Sequence, residues 1–301
     1  MDKSVEGYLA QLRQQLAGAD PAVVQDAVYD AEEYLRSALA EAGGDENAFD
    51  TVVEAYGTPE EIASAYLETE RTVARALRPP APAPVRQGSA LRRFFGVVAD
   101  PTAWGALFYM VLALATGIAY FTVVVTGLSL SLGLMITLLG IPLALLLIAV
   151  VRAVSLAEGR MVEGLLGVRM PRRPRMVGAQ GDIWTRLKSW FTDYRTWTTM
   201  LYMLLQLPLG IAYFTLVVTG FSTSMSLVAL PFVQEFANAP IIQAGGSYWV
   251  VETWAYPLVM GVGLLGMVVL LWVVKGLGKL HGAYAKAMLV GGFSDQTAAR
   301  A

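Results

Sequence analysis

Cysteine is absent from the 301 residues, and histidine occurs once, at His281. Without a thiol there is no disulfide, no thiolate nucleophile, no Cys-ligated zinc and no iron–sulfur cluster. One imidazole cannot build a multi-histidine metal site within one chain. Charge is scarce too. Asp, Glu, Lys and Arg make up 15% and hydrophobic residues 55%, against roughly 25% charged in a typical soluble domain. A soluble fold of that composition would expose wide apolar patches, and membrane insertion avoids them. The first twenty residues lack the apolar run of a signal peptide, so insertion is expected to rest on the chain's own spans.

The charge that is present is unevenly spread. Residues 1–70 hold sixteen acids and three bases, and residues 71–301 hold eight acids and nineteen bases. Phosphate contacts need Lys and Arg, so the acidic block argues against a nucleic-acid partner.

Four stretches, about 104–126, 130–151, 200–219 and 256–274, are long and apolar enough to cross roughly 30 Å of hydrocarbon. None has a charged residue in its interior. Bases collect on one side of them: Arg86, Arg92 and Arg93 before the first, nine Lys/Arg over 152–195, then Lys275, Lys279 and Lys286 after the fourth. The segments joining spans one to two and three to four have none. The positive-inside rule therefore predicts that both chain ends are cytoplasmic.

GIAYFTVVVTG at 117–127 returns as GIAYFTLVVTG at 210–220, ten of eleven residues identical at a shift of 93. The match extends backwards: Asp100 pairs with Asp193, Trp104 with Trp197 and Tyr109 with Tyr202. After spans two and four it continues at a shift of 123, with Arg152 on Lys275, Gly159 on Gly282 and Leu166 on Leu289. The extra residues must lie between spans three and four. Each repeat has an amphipathic lead-in, a span, an outer turn, a second span and an amphipathic tail. The lead-ins are 91–99, with Phe94, Phe95, Val97 and Val98, and 183–192, with Trp184, Leu187, Trp190 and Phe191 opposite Arg186 and Lys188. Such segments lie in the bilayer interface. Spans one and three run the same way, so the hairpins are parallel, related by a pseudo-twofold axis along the membrane normal. Gly117, Gly127, Gly210 and Gly220 read as close helix contacts. Tyr120 and Tyr213 recur within the same motif, and Gly140-Ile141-Pro142 marks span two. Pro142 and Pro208 are expected to bend their spans.

Residues 1–77 read as a compact helical unit. Tyr8, Leu9, Leu12 and Leu16 share one face of a first helix. Asp20-Pro21 is an N-cap with proline at the first helical position. Thr58-Pro59-Glu60-Glu61 is a capping box for the last helix. Glu32-Glu33 diverge by about 100° on a helix, so they do not form a catalytic pair. With Glu60 and Glu61 they make an acidic face suited to a basic partner. Arg78 and the alternating prolines that follow favour an extended spacer, expected to hold this unit away from the bilayer.

The expected fold is thus all-α: a small cytoplasmic helical domain plus four transmembrane helices arranged as two parallel hairpin repeats with interfacial amphipathic helices. The boundaries are domain 1–77, linker 78–90, repeat one 91–178, repeat two 179–292 with an outer insertion at about 222–254, and tail 293–301.

Tyr8-Leu9-Ala10-Gln11-Leu12, the acidic second helix through Tyr34, and Tyr56-Gly57-Thr58-Pro59-Glu60-Glu61-Ile62-Ala63 resemble the HAAS signalling domain over about 4–70. Residues 91–290 resemble a bacterial four-helix sensor domain found ahead of histidine kinases. Gly117-Ile118-Ala119-Tyr120-Phe121, Thr126-Gly127, Gly140-Ile141-Pro142-Leu143, Glu158-Gly159-Arg160 and Leu165-Leu166-Gly167 carry that likeness. The family usually shows Glu-Arg where this chain has Glu158-Gly159-Arg160. The resemblances imply a multi-pass protein of a bacterial cytoplasmic membrane that relays signals to a cytoplasmic regulatory or membrane partner. No kinase core follows Gly292, so output is expected through the N-terminal domain or a separate partner.

Residues Phe232, Glu235, Trp249, Glu252 and Trp254 of the outer insertion are the candidate binding site for a lipid-like or amphiphilic ligand. The transporter alternative has parallel repeats in its favour and the lack of intramembrane charge against it; Gln206 is the most polar interior group. No catalytic constellation, metal-ligand spacing or cofactor motif is found, so an enzyme is not expected, and His281 reads as a bland interfacial residue. Association with a second copy is left open.

Overall fold

The computed structural model describes residues 4–42, 48–76, 90–137, 139–173, 193–237, 242–244 and 247–290. The linker over 78–89, the second lead-in at 183–192 and the tail at 293–301 lie outside the described residues.

Four helices form the N-terminal unit: α1 Val5–Gln15, α2 Pro21–Glu41, α3 Ala48–Tyr56 and α4 Pro59–Ala76. Their starts are chemically marked. Ser4 Oγ accepts from Gly7 N. Asp20 Oδ1 accepts from Ala22 N with Pro21 behind it. Glu61 Oε2 accepts from Thr58 N at 2.8 Å while Thr58 Oγ1 accepts from Glu61 N, the reciprocal capping box. Tyr8, Leu9, Leu12, Leu16, Ala31 and Leu35 close over one core. Gly57 takes φ +111° between α3 and α4, a left-handed position that favours glycine.

A short helix α5, Ala90–Phe95, and a 3₁₀ turn lead into the membrane unit. Its spanning helices are α6 Pro101–Gly133, α7 Gly140–Leu166, α8 Tyr194–Ala237 and α9 Tyr256–Val290. All four are long and apolar enough to cross a membrane. Their outer surface is apolar as well: Phe108, Ile118, Leu201, Ile211 and Leu265 are all exposed. Lipid is the solvent in which that surface is stable.

The repeat is built into the packing. A Cβ on Gly117 would stand 2.8 Å from Gln206 O and 2.9 Å from Leu207 Cα; one on Gly210 would stand 2.4 Å from Ala113 O and 2.9 Å from Leu114 Cα. These contacts are the same contact, exchanged at a shift of 93. Likewise Gly127 receives Leu147, and Gly220 receives Leu270, the partners now 123 apart. Asp100 caps α6 through Thr102 N and pairs with Lys275. Its counterpart Asp193 caps α8 through Arg195 N and meets Arg152 at 3.7 Å. Each repeat thus ties its first helix to the second helix of the other.

Two expectations are corrected. The sequence predicts span one at 104–126 and span two from 130, yet α6 runs on to Gly133 and α7 begins only at Gly140, with a 3₁₀ turn at Met135–Thr137 before it. Hydropathy misses that turn because Leu134, Met135, Ile136 and Leu139 are themselves apolar; Ile136 is 94% exposed. Pro142 therefore sits in the first turn of α7, where its missing N–H has no helical partner to lose, and it does not bend a span. Pro208, by contrast, lies inside α8. Gly140 closes the turn, with Ser131 O 2.3 Å from where its Cβ would be.

The outer insertion is partly helix. α8 continues to Ala237, and a two-stranded antiparallel ribbon, β1 Ile242–Ala244 and β2 Ser247–Trp249, follows. Buried Gln234 fastens the returning chain: it donates to Val251 O at 2.8 Å and Tyr256 Oη at 2.9 Å, and accepts from Val251 N at 3.1 Å.

Gly117→Val or Gly210→Val should force α6 and α8 apart. Each is expected to cost about 1–3 kcal/mol by overpacking, read as a lowered thermal midpoint in detergent. Gly276→Ala, with nothing within 4 Å of its Cβ, should leave the midpoint unchanged or raise it slightly.

Candidate functional site

The bundle's polar centre joins all four spanning helices. Tyr109 and Tyr120 lie eleven residues apart on α6, which returns to nearly the same face. Tyr202 and Tyr213 repeat that spacing on α8. Glu158 comes from α7 and His281 from α9; they are 0% and 1% exposed. Tyr109 and Tyr202 donate to Glu158 Oε1 at 2.6 and 2.8 Å, and Tyr120 donates to Oε2 at 2.8 Å. His281 Nε2 lies 2.7 Å from Tyr109 Oη and 3.2 Å from Tyr202 Oη. Its Nδ1 lies 3.2 Å from Tyr213 Oη. Gln206 Nε2 donates to Tyr109 Oη at 3.2 Å.

The cluster follows the repeat: Tyr109 maps on Tyr202, Tyr120 on Tyr213, and Glu158 on His281 at the shift of 123. The two central hydroxyls face each other at 3.4 Å. Carboxylate and imidazole reach both of them, and each takes one outer tyrosine on its second atom.

The directions around Tyr109 follow from its bond to Glu158. Tyr109 has one proton and gives it to Glu158, so its oxygen must accept from Gln206 and from an Nε2–H of His281. Neutral His281 then accepts from Tyr213 at Nδ1. The cluster is thus a polar joint that hydrogen-bonds all four spanning helices to one another.

Hydropathy alone puts Glu158 in a tail beyond span two and His281 at the interface, and so does not bring this centre together. Both are buried within spanning helices, so the expected lack of ionisable groups inside the bundle is corrected. The shifts of 93 and 123 do superimpose all six positions.

The second feature is a contact between the two units. The expected stand-off of the acidic domain is not observed. Asp26, 6% exposed, accepts from the backbone N–H of Arg172 and Arg173 at 2.8 Å each, and from Arg169 Nη2 at 3.0 Å. Arg169 also meets Glu70 at 3.1 Å, Arg173 meets Asp30 at 2.9 Å, and Lys286 pairs with Asp20. Arg173 lies over the Tyr29 ring. Burial would lower the Arg169 pKa, but Glu70, Asp26 and Glu163 outweigh it and leave it raised. The segment held this way leaves α7 directly: Gly167 caps the helix at φ +70°, and Met170 is buried in the bundle core beside Gly159. Only ten residues of chain lie between Glu158 and Arg169.

The acidic candidates divide. Glu32 points inward and pairs with Arg36 at 2.9 Å, so it is not part of a solvated face. Glu33 and Glu60 are exposed. Glu61 is engaged in its capping box, whose bonds from Thr58 hold its carboxyl below the usual range. In the outer insertion Phe232, Glu235, Glu252 and Trp254 are exposed, and Trp254 Nε1 donates to Glu252; the Trp249 side chain lies outside the described set. A cavity of about 150 Å³ lies instead at the joint between the units, bordered by Gln25, Arg152, Ser155, Asp193 and Arg195.

Residues 109–289 match the family model described as "Putative sensor", and residues 7–65 match the HAAS family model. No curated protein and no solved structure matches the chain.

Tyr202→Phe should cost about 1–3 kcal/mol, the usual effect of leaving buried polar groups without a partner. Glu158→Ala strands three hydroxyls and should cost more. Because both act on one network, the double variant should be less destabilised than the sum, with a coupling of about 0.5–3 kcal/mol. Unfolding in detergent, followed by near-ultraviolet circular dichroism, measures all three.

Proposed function

Because this chain belongs to the sensor family over residues 109–289 and carries a HAAS domain ahead of it, we propose that it is an integral membrane signalling adaptor. The four-helix bundle takes a membrane or extracytoplasmic stimulus, and the N-terminal domain passes the result to a cytoplasmic regulator. The role is non-catalytic. One observation carries the reading: Asp26 of the domain grips the chain where it leaves α7, through two backbone N–H groups and Arg169. A shift of α7 changes the positions of those donors, so the domain feels the state of the bundle. The polar joint around Glu158 is the element whose rearrangement would move α7.

Both chain ends are assigned to the cytoplasm. Basic segments of 152–195 and after 274 support this, as does the domain's contact with the bases Arg169, Arg173 and Lys286. The cysteine-free chain allows a direct test. A cysteine at Thr253 should react with a membrane-impermeant maleimide in intact cells, and one at Ala40 only after permeabilisation. The reverse pattern would overturn the orientation.

Deleting residues 1–78 should reproduce the transcript changes of removing the whole chain, and Asp26→Lys should uncouple transcripts from stimulus while the bundle stays folded. An unchanged stimulus response in the deletion would sink the relay. The transporter reading, as a core or accessory subunit, is favoured by one observation, the buried Glu158, His281 and Gln206. Proteoliposomes loaded with a pH-sensitive dye decide it: flux abolished by Glu158→Gln supports transport, and no flux leaves the adaptor.

A further inference from the structure

The acidic domain has a second surface that the bundle does not use. A cavity of about 480 Å³ opens between α1, α3 and the start of α4. Tyr8, Phe49 and Val53 supply its apolar floor, and Asp50, Glu54 and Glu61 stand around it. Phe49 and Val53 are half-buried against the domain core. None of the described residues lining the cavity is Lys or Arg. None is shared with the contact to the bundle, which uses Asp20, Asp26, Asp30 and Glu70.

We propose that this groove is the docking site for a lysine- or arginine-bearing amphipathic helix of a partner protein, seated with its apolar face on Phe49 and Val53. The inference rests on the adaptor reading and names the chemistry of its partner. Two features select that occupant. An apolar floor open on one side, as Tyr8, Phe49 and Val53 form here, is the usual seat of an amphipathic helix. The carboxylates around it attract a basic rim on that helix and repel an acidic one. They equally repel an anionic lipid surface, so the groove does not serve as a membrane anchor. Its separation from the bundle contact lets the domain hold both at once. A change at Asp26 can therefore be passed through the domain core to the groove without competition for the same residues.

The full chain in phosphatidylcholine nanodiscs provides the test. The probe is a fluorescent helical peptide of leucine and lysine with the leucines on one face. A control has the same composition with the leucines scattered, and empty nanodiscs give the background. Saturable anisotropy change is expected for the amphipathic peptide only. Glu54→Lys, an exposed change, should weaken it by about fivefold or more. Glu33→Lys, equal in charge but outside the groove, should change it by less than about twofold. Equal weakening by both variants, equal binding of the scattered peptide, or no saturable binding would overturn the proposal. Transcripts of the 1–78 deletion judge the relay separately: a lost response with no peptide binding would leave the relay and discard the groove.

Discussion

A carboxylate buried inside a helical bundle, as Glu158 is at 0% exposure, draws its donors from the bundle. Glu158 receives three, all from tyrosines on α6 and α8. That requirement sets the arrangement of the membrane unit. The two central tyrosines reach one oxygen only if α6 and α8 pass close together, and Gly117 and Gly210 permit that approach. They also need a group on the far side that donates to them, and His281 supplies it at the position equivalent to Glu158. Two carboxylates there would compete for the same hydroxyl protons and repel each other. Two imidazoles would leave no anionic acceptor. The twofold relation of the bundle is thus completed by an inequality at its centre.

The same arrangement explains the charge asymmetry of the chain. The acids of the first seventy residues and the bases beyond them are, in part, two sides of one contact. Exposed ion pairs contribute little, typically about 0–1 kcal/mol each, so the pairs of Asp30, Glu70 and Asp20 set orientation more than strength. Asp26 is different. It is buried, and it binds two peptide N–H groups, so it recognises the shape of the segment after Gly167 and not merely its charge.

Much of the architecture was legible because the chain says it twice. Gly117 and Gly210, Asp100 and Asp193, Arg152 and Lys275 each occur at matching places, and each pair proves to be one contact made twice. The turn between α6 and α7 was hidden because its residues are as apolar as the spans. The polar centre was hidden for a related reason. Glu158 follows Arg152 and Ser155, so a hydropathy window ends the span before reaching it, while the helix itself continues to Leu166. The acidic face was legible as a surface that wants bases, but which bases could not be read. Contacts more than 140 residues apart leave no local pattern.

Glu158 lies on α7, and the segment that Asp26 holds follows that helix directly. A stimulus shifts an equilibrium only by its differential stabilisation of the two states, and about 1.4 kcal/mol already gives a tenfold change. Losing one donor to Glu158 is a change of that order. From Glu158 the helix is unbroken to Leu166, and Met170 locks the following turn into the bundle core. Little slack remains before Arg172, where Asp26 takes hold. A grip built from hydrogen bonds and ion pairs depends on the placement of its donors, so its strength would change with a displacement of the segment after Gly167. A broad apolar interface at the same place would hold the domain regardless of what the bundle did.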